Sequence, residues 1–141
     1  MQTIATEPII KEIHVDAQPE TVFAFFTEAD KLIRWIATEA ATDPRPGGIF
    51  HQTHHFEGVD YLLRGEFVEV DPPHRVVFTW GFENSEIGVS PGISTVEVTL
   101  TPEDGGTHLR LVHSGLPEQA RANHDEGWDT ELGKLVRALA A

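Results

Sequence analysis

This sequence closes with a long amphipathic helix that follows an almost unbroken run of strands. Trp128, Leu132, Leu135 and Leu139 fall at i, i+4, i+7 and i+11, one face of an α-helix. From about Gly48 to His113 the chain alternates like antiparallel sheet. A sheet must bury one face, and the terminal helix carries the matching apolar stripe. One long helix laid on one curved sheet leaves a hollow where the two surfaces do not mesh. That hollow, a pocket for a small and largely apolar molecule, is the functional expectation.

The upstream segments fit the same plan. Residues 8–15 read as a first strand, with Ile9, Lys11, Ile13 and Val15 on one side. Asp16 or Gln18 is a plausible helix N-cap, followed by Pro19 in the first turn and Glu20 where the helix dipole favours it. Val22, Phe23, Phe25 and Phe26 supply the buried side of that short helix. A second short helix is expected over 28–36, with Ala29, Leu32, Ile33 and Ile36 as its stripe and Trp35 beside it. Strands are expected at 49–56, 60–70, 75–83, 94–102 and 107–114, and a helix over 118–140. Turn chemistry separates them: Glu57-Gly58, Asp71-Pro72-Pro73 and Glu103-Asp104-Gly105-Gly106. Residues 84–92 contain Gly88, Pro91 and Gly92 and suit a mobile loop at a cavity mouth. The order β-α-α-β-β-β-β-β-α is α+β, with five strands in a meander and the first pairing at the edge or beside the last.

A chain of 141 residues suits one domain, here 1–141. There is no cysteine, hence no disulfide framework and no thiolate chemistry. No apolar leader and no membrane-length run is visible, so a soluble cytoplasmic protein is expected. The formal charge of −13 repels phosphate backbones and anionic lipid, so neither nucleic acid nor membrane is an expected partner. The charge reads as solubility, with docking to a basic protein as the alternative.

Five segments in order carry a resemblance. They are Pro19-Glu20-Thr21-Val22-Phe23-Ala24-Phe25-Phe26 with Leu32 and Trp35; Asp43-Pro44-Arg45-Pro46-Gly47-Gly48-Ile49-Phe50; and Gly65-Glu66-Phe67-Val68-Glu69-Val70-Asp71-Pro72-Pro73 leading to Val77-Phe78-Thr79-Trp80. The fourth runs Gly105-Gly106-Thr107-His108-Leu109 to His113-Ser114-Gly115-Leu116, and Gly127-Trp128 is the fifth. The order of elements resembles the helix-grip fold of the START-like SRPBCC superfamily. The residues more specifically resemble the family named after the C-terminal domain of the activator of heat-shock protein 90 ATPase. The resemblance implies a curved antiparallel sheet of about six strands wrapped around a long C-terminal helix, with two short helices after the first strand. It also implies a tendency to enclose apolar ligands and, through the family name, a chaperone contact and a link to stress response. It implies no shared catalytic set and no cofactor.

Eight histidines invite a metal hypothesis, which the spacing rejects. On a strand His51 and His55 point to one face, roughly 13 Å apart, and His54 to the other. Two ligands of one zinc sit within about 4 Å of each other, so no metal is expected. His113 shares the buried face of the last strand with Leu109 and Leu111, and His124 lies one helical turn before Trp128. These two histidines are expected to look into the same interior, either satisfied by neighbours or serving as a polar anchor for a ligand. Phe50, Tyr61, Phe67, Phe78, Trp80, Leu111, His113, His124 and Trp128 are the expected cavity wall, with Phe82 a further candidate. The inward parity of 60–70 stays open. Tyr61, Leu63, Gly65 and Phe67 give one apolar face, and Leu62, Val68 and Val70 oppose it. Gly65 itself marks a bulge or a close approach.

No glycine loop precedes a helix as a phosphate site requires, and no serine sits in a nucleophile elbow. Three functions remain in play. The first is binding of a small hydrophobic or aromatic molecule. The second is a cyclase- or hydrolase-type enzyme using His113 or His124. The third is a co-chaperone-like interaction module. A monomer and a homodimer through the strand near 9–15 both fit, although Lys11 and Glu12 blunt that edge.

Overall fold

The computed structural model describes residues 7–140. Seven strands form one antiparallel sheet: β1 (Ile9–Val15), β2 (Glu39–Thr42), β3 (Ile49–Phe56), β4 (Val59–Asp71), β5 (Arg75–Trp80), β6 (Ser94–Glu103) and β7 (Gly106–Ser114). Their spatial order is β1-β7-β6-β5-β4-β3-β2. The meander is continuous from β3 to β7. The first strand lies both at the edge and beside the last, in a register that sets Ile9 opposite His113 and Val15 opposite Thr107. Helices α1 (Pro19–Thr27) and α2 (Ala29–Leu32) follow β1, and α3 (Glu118–Ala140) closes the chain. This is the α+β helix-grip architecture.

Three local differences from the sequence expectations have clear causes. A seventh strand, β2, was not expected. Glu39-Ala-Ala-Thr is short, and its alternation is too weakly apolar to register, yet it pairs with His51 to Thr53 and Phe50 at the sheet edge. Helix α2 ends at Leu32 rather than Ile36. The Ile36 amide still reaches the Leu32 carbonyl, but the Trp35 indole donates to the Phe25 carbonyl at 2.8 Å and turns the chain inward. Trp35 is therefore buried, and Ile33, placed on the expected stripe, is half exposed. Finally, β4 carries a bulge between Phe67 and Glu69. Leu63, Gly65 and Phe67 face inward up to that point, and Val70 packs inward after it. The parity was undecidable because it changes within the strand.

The core lies between the concave face of the sheet and the three helices. From β6 and β7 it takes Val96, Val98, Leu100, Leu109 and Leu111, all fully buried. Phe23, Phe25 and Phe26 of α1 cover one part of that face; Trp128, Leu132 and Leu135 of α3 cover another. Each such side chain contributes on the order of 1.5–3 kcal/mol by leaving water. Helix α3 is fixed along β1, where the Lys11 ammonium bridges Asp125 at 3.0 Å and Asp129 at 2.9 Å. The Arg121 guanidinium donates to the carbonyls of Glu7 and Pro8. Anchored on β1, α3 crosses the far strands at a distance. Among the described residues, no helix is long and apolar enough to cross a membrane.

Candidate functional site

Where α3 stands away from β3, β4 and β5, a cleft of about 480 Å³ remains. Its helix side is Ala120, Asn123, His124, Gly127, Trp128, Glu131 and Lys134, the residues that recur along one α3 face. Its sheet side is His54, Tyr61, Trp80 and Phe82. The mouth is formed by the β3–β4 hairpin, through His55 and Phe56, and by the turn after β5, through Glu86 and Ile87. That turn holds its place through the Phe82 amide, which donates to the carbonyl of the fully buried Val89 at 2.7 Å. Phe56 is 63 % exposed at the rim and adds apolar surface to the mouth.

Trp80 is the hub of the inner wall. Its ring lies 5.1 Å from Trp128, 5.8 Å edge-on from Phe82, and 6.0 Å from His54, centre to centre. These separations lie within the favourable range for aromatic pairs. Of the nine expected wall residues, the structure brings four to the cleft: Tyr61, Trp80, His124 and Trp128. Phe50, Phe67, Phe78 and Leu111 sit deeper, sealed in the core at 1 % exposure or less, with Phe50 and Phe78 stacked at 4.0 Å. His113 is likewise sealed, directly behind Trp128.

The sealed histidine organises the polar floor. The Trp128 indole N–H donates to His113 Nδ1 at 2.9 Å, so the imidazole proton resides on Nε2. That N–H donates to Ser94 Oγ at 2.9 Å, and the Ser94 hydroxyl donates to the Trp80 carbonyl at 2.7 Å. His124 is occupied in the same way. Its Nδ1 donates to the Ala120 carbonyl at 3.0 Å, and its Nε2 accepts the Trp80 indole N–H at 3.3 Å. The two rings lie 5.5 Å apart. Burial, and secondarily the neighbouring His124, hold His113 neutral with a pKa pushed down to about 3. Burial also lowers His124, against the opposing bond to Ala120. All four ring nitrogens are committed within the protein and both tautomers are fixed. The pair therefore lacks the free lone pair or the near-neutral titration that acid–base work requires.

His54 and Glu131 enter the cleft without having been singled out as wall residues. Burial, then the charge of Lys134, lower the His54 pKa to about 4. Burial raises the Glu131 carboxyl despite the Lys134 ammonium at 2.8 Å. For His54 a signal existed: it shares strand parity with Phe50, so burying Phe50 turns His54 inward too. Glu131 carries no such mark, because a carboxylate beside the apolar stripe of a helix reads as a solvated flank. His55 reaches the mouth of the same cleft as His54, whereas His51 does not line it. His55 pairs with Asp60 at 2.8 Å, and no cluster of metal-ligating side chains exists among the described residues.

Comparison with known proteins agrees with the fold. A family model described as Activator of Hsp90 ATPase homolog 1-like protein matches residues 16–140. The human activator of 90 kDa heat shock protein ATPase homolog 1 is 26 % identical over 110 residues, which is 78 % of this chain and 30 % of that protein. The chain thus spans about a third of the length of the curated relatives it matches. Among solved structures, the AHSA1-like protein of Rhizobium etli is 40 % identical over all of this chain and 88 % of its own, with a TM-score of 0.72. A protein of Chromobacterium violaceum, 22 % identical, covers 97 % of this chain and 99 % of its own at a TM-score of 0.82, a likeness of fold.

Proposed function

We propose that this chain, which belongs to the Activator of Hsp90 ATPase homolog 1-like family, binds a small hydrophobic or aromatic molecule in the cleft between α3 and the sheet. The observation that carries the reading is the state of the two cleft tryptophans. Both indole N–H groups are committed, to His113 and His124, so that Trp80 and Trp128, 5 % and 3 % exposed, present ring atoms rather than free donors where they line the cleft. A cleft of about 480 Å³ matches small-molecule sites in size. The exposed Phe56 at its rim adds apolar surface that an occupant would cover.

Binding is favoured over turnover because His113 and His124, the expected acid–base pair, have no uncommitted nitrogen. It is favoured over a chaperone contact because the apolar surface at Phe56 continues into a concavity rather than a flat face. The test is displacement of 1-anilinonaphthalene-8-sulfonate by a panel of neutral polycyclic aromatics, with native mass spectrometry of the protein as purified. Saturable one-to-one displacement supports the reading. A protein that neither retains the dye nor carries any small molecule contradicts it.

A further inference from the structure

One polar group of the inner wall has capacity that the protein does not use. Gln52 and His54 are successive inward residues of β3, and the Gln52 amide oxygen lies 2.6 Å from His54 Nε2. Gln52 is 1 % exposed, and in that orientation its NH₂ group has no partner among the described residues. A buried amide with empty donors is costly, and an under-used carbonyl lone pair less so. The two ends of a primary amide have the same shape. Turning it over sets an N–H against His54 Nε2, which then accepts. A neutral imidazole carries one proton, so it moves to Nδ1. Burial and the nearby Lys134 keep the ring neutral at ordinary pH. Nδ1 is bonded to nothing among the described residues, whereas the indole and imidazole N–H groups of Trp80, Trp128 and His124 are all engaged.

We infer that the cleft selects planar aromatic molecules bearing a neutral hydrogen-bond acceptor, such as an aryl ketone, whose oxygen takes the His54 Nδ1–H while the ring lies against Trp80 and Phe82. The two rings are 6.0 Å and 5.7 Å from the imidazole, so one rigid molecule reaches all three. Within the wall the Glu131 carboxylate and the Lys134 ammonium pair at 2.8 Å and offset each other, so an anionic acceptor is disfavoured only by the net charge of −13 of the whole chain. The inference rests on the cleft being a ligand site and adds its polar selectivity.

Three naphthalene probes separate the two claims: 2-acetylnaphthalene, 2-ethylnaphthalene and 2-naphthol, titrated at neutral pH against the quenching of tryptophan fluorescence. The ketone should bind about fivefold more tightly than the ethyl compound, the worth of one net hydrogen bond. That advantage should vanish in His54→Phe while the ethyl compound still binds. Equal binding of ketone and ethyl compound overturns the acceptor claim and leaves the cleft as a site. A preference for the naphthol also overturns it, by showing that the cleft rewards a donor over a carbonyl acceptor. Failure of all three to bind overturns the site itself. Long-range proton–nitrogen NMR on the unmutated protein reads the tautomer directly: a proton on His54 Nδ1 is expected, and a proton on Nε2 contradicts the inference.

Discussion

The indole nitrogen of Trp128 lies 2.9 Å from Nδ1 of His113, joining the long helix to the last strand through a bond buried on both sides. The contact is the inner end of a directed chain through Ser94 to the Trp80 carbonyl. Replacing Trp128 with Phe removes the donor and strands a buried acceptor. A loss of about 2–4 kcal/mol is expected from the unpaired nitrogen and the missing ring volume together. Adding His113→Leu removes the stranded nitrogen, so urea unfolding of the double mutant should show a loss smaller than the sum of the singles. Strict additivity would mean that the bond holds nothing together.

Acid should destabilise the protein well before its carboxylates titrate. The folded-state pKa values of His54 and His113 are held down to about 4 and about 3, against an unfolded value near 6.5. Below pH 6.5 the unfolded chain binds protons that the native sites refuse, so stability falls on acidification. Each site costs on the order of 2 kcal/mol by pH 5. His124 acts in the same direction. His14 opposes it, because its bond to Glu103 raises its pKa and its contribution is lost as pH rises; it is exposed, and salt screens it. Unfolding midpoints measured between pH 7.5 and 5 should fall steeply, and less steeply in His54→Gln, where His113 and His124 still act. A profile without slope across that range would contradict the buried neutral pair.

Two glycines should respond in opposite directions to alanine. A Cβ on Gly65 would lie 2.2 Å from the Thr79 carbonyl oxygen, backbone that cannot step aside. Gly65→Ala should cost more than about 2 kcal/mol or prevent folding. A Cβ on Gly127 meets nothing within 4 Å, and the residue is inside α3. Gly127→Ala should add roughly 0.5–1 kcal/mol by helix propensity alone. Thermal unfolding of the pair checks both signs at once.

Phe56 at the rim separates binding from stability. Phe56→Ser changes an exposed side chain, so its effect on unfolding should stay within about 0.5 kcal/mol. The same change should weaken a neutral aromatic probe severalfold, since the ring lines the cleft mouth. A variant that binds as well as the parent would place the occupant away from this rim.

These residues also mark how far the sequence could be read. The α3 stripe and the strands from β3 to β7 were legible because periodicity and turn chemistry are local, whereas the short β2 was not. Gly65 was legible as a close approach, for a mid-strand glycine has few other uses. The parity of β4 was not, because the bulge between Phe67 and Glu69 reverses it within one strand. The cavity wall was half legible for a related reason. Alternation separates inward from outward residues but does not say which helix covers which part of the inner face. Phe50, Phe78 and, on the strand whose parity stayed open, Phe67 face inward and are sealed in the core. Tyr61, Trp80 and His54, equally inward, meet the gap. That division depends on where α3 is pinned, and the Lys11 bridges to Asp125 and Asp129 join residues more than a hundred positions apart.

The claim that an aromatic ligand occupies the space under α3 is tested most directly by the three tryptophan indole signals in a proton–nitrogen spectrum. The indoles of Trp80 and Trp128 lie on the cleft, while that of Trp35 is tied to the Phe25 carbonyl behind it. Titration with 2-acetylnaphthalene should shift the first two in saturable, parallel fashion and leave the third in place. Three stationary indoles, or movement of Trp35 alone, would contradict the account.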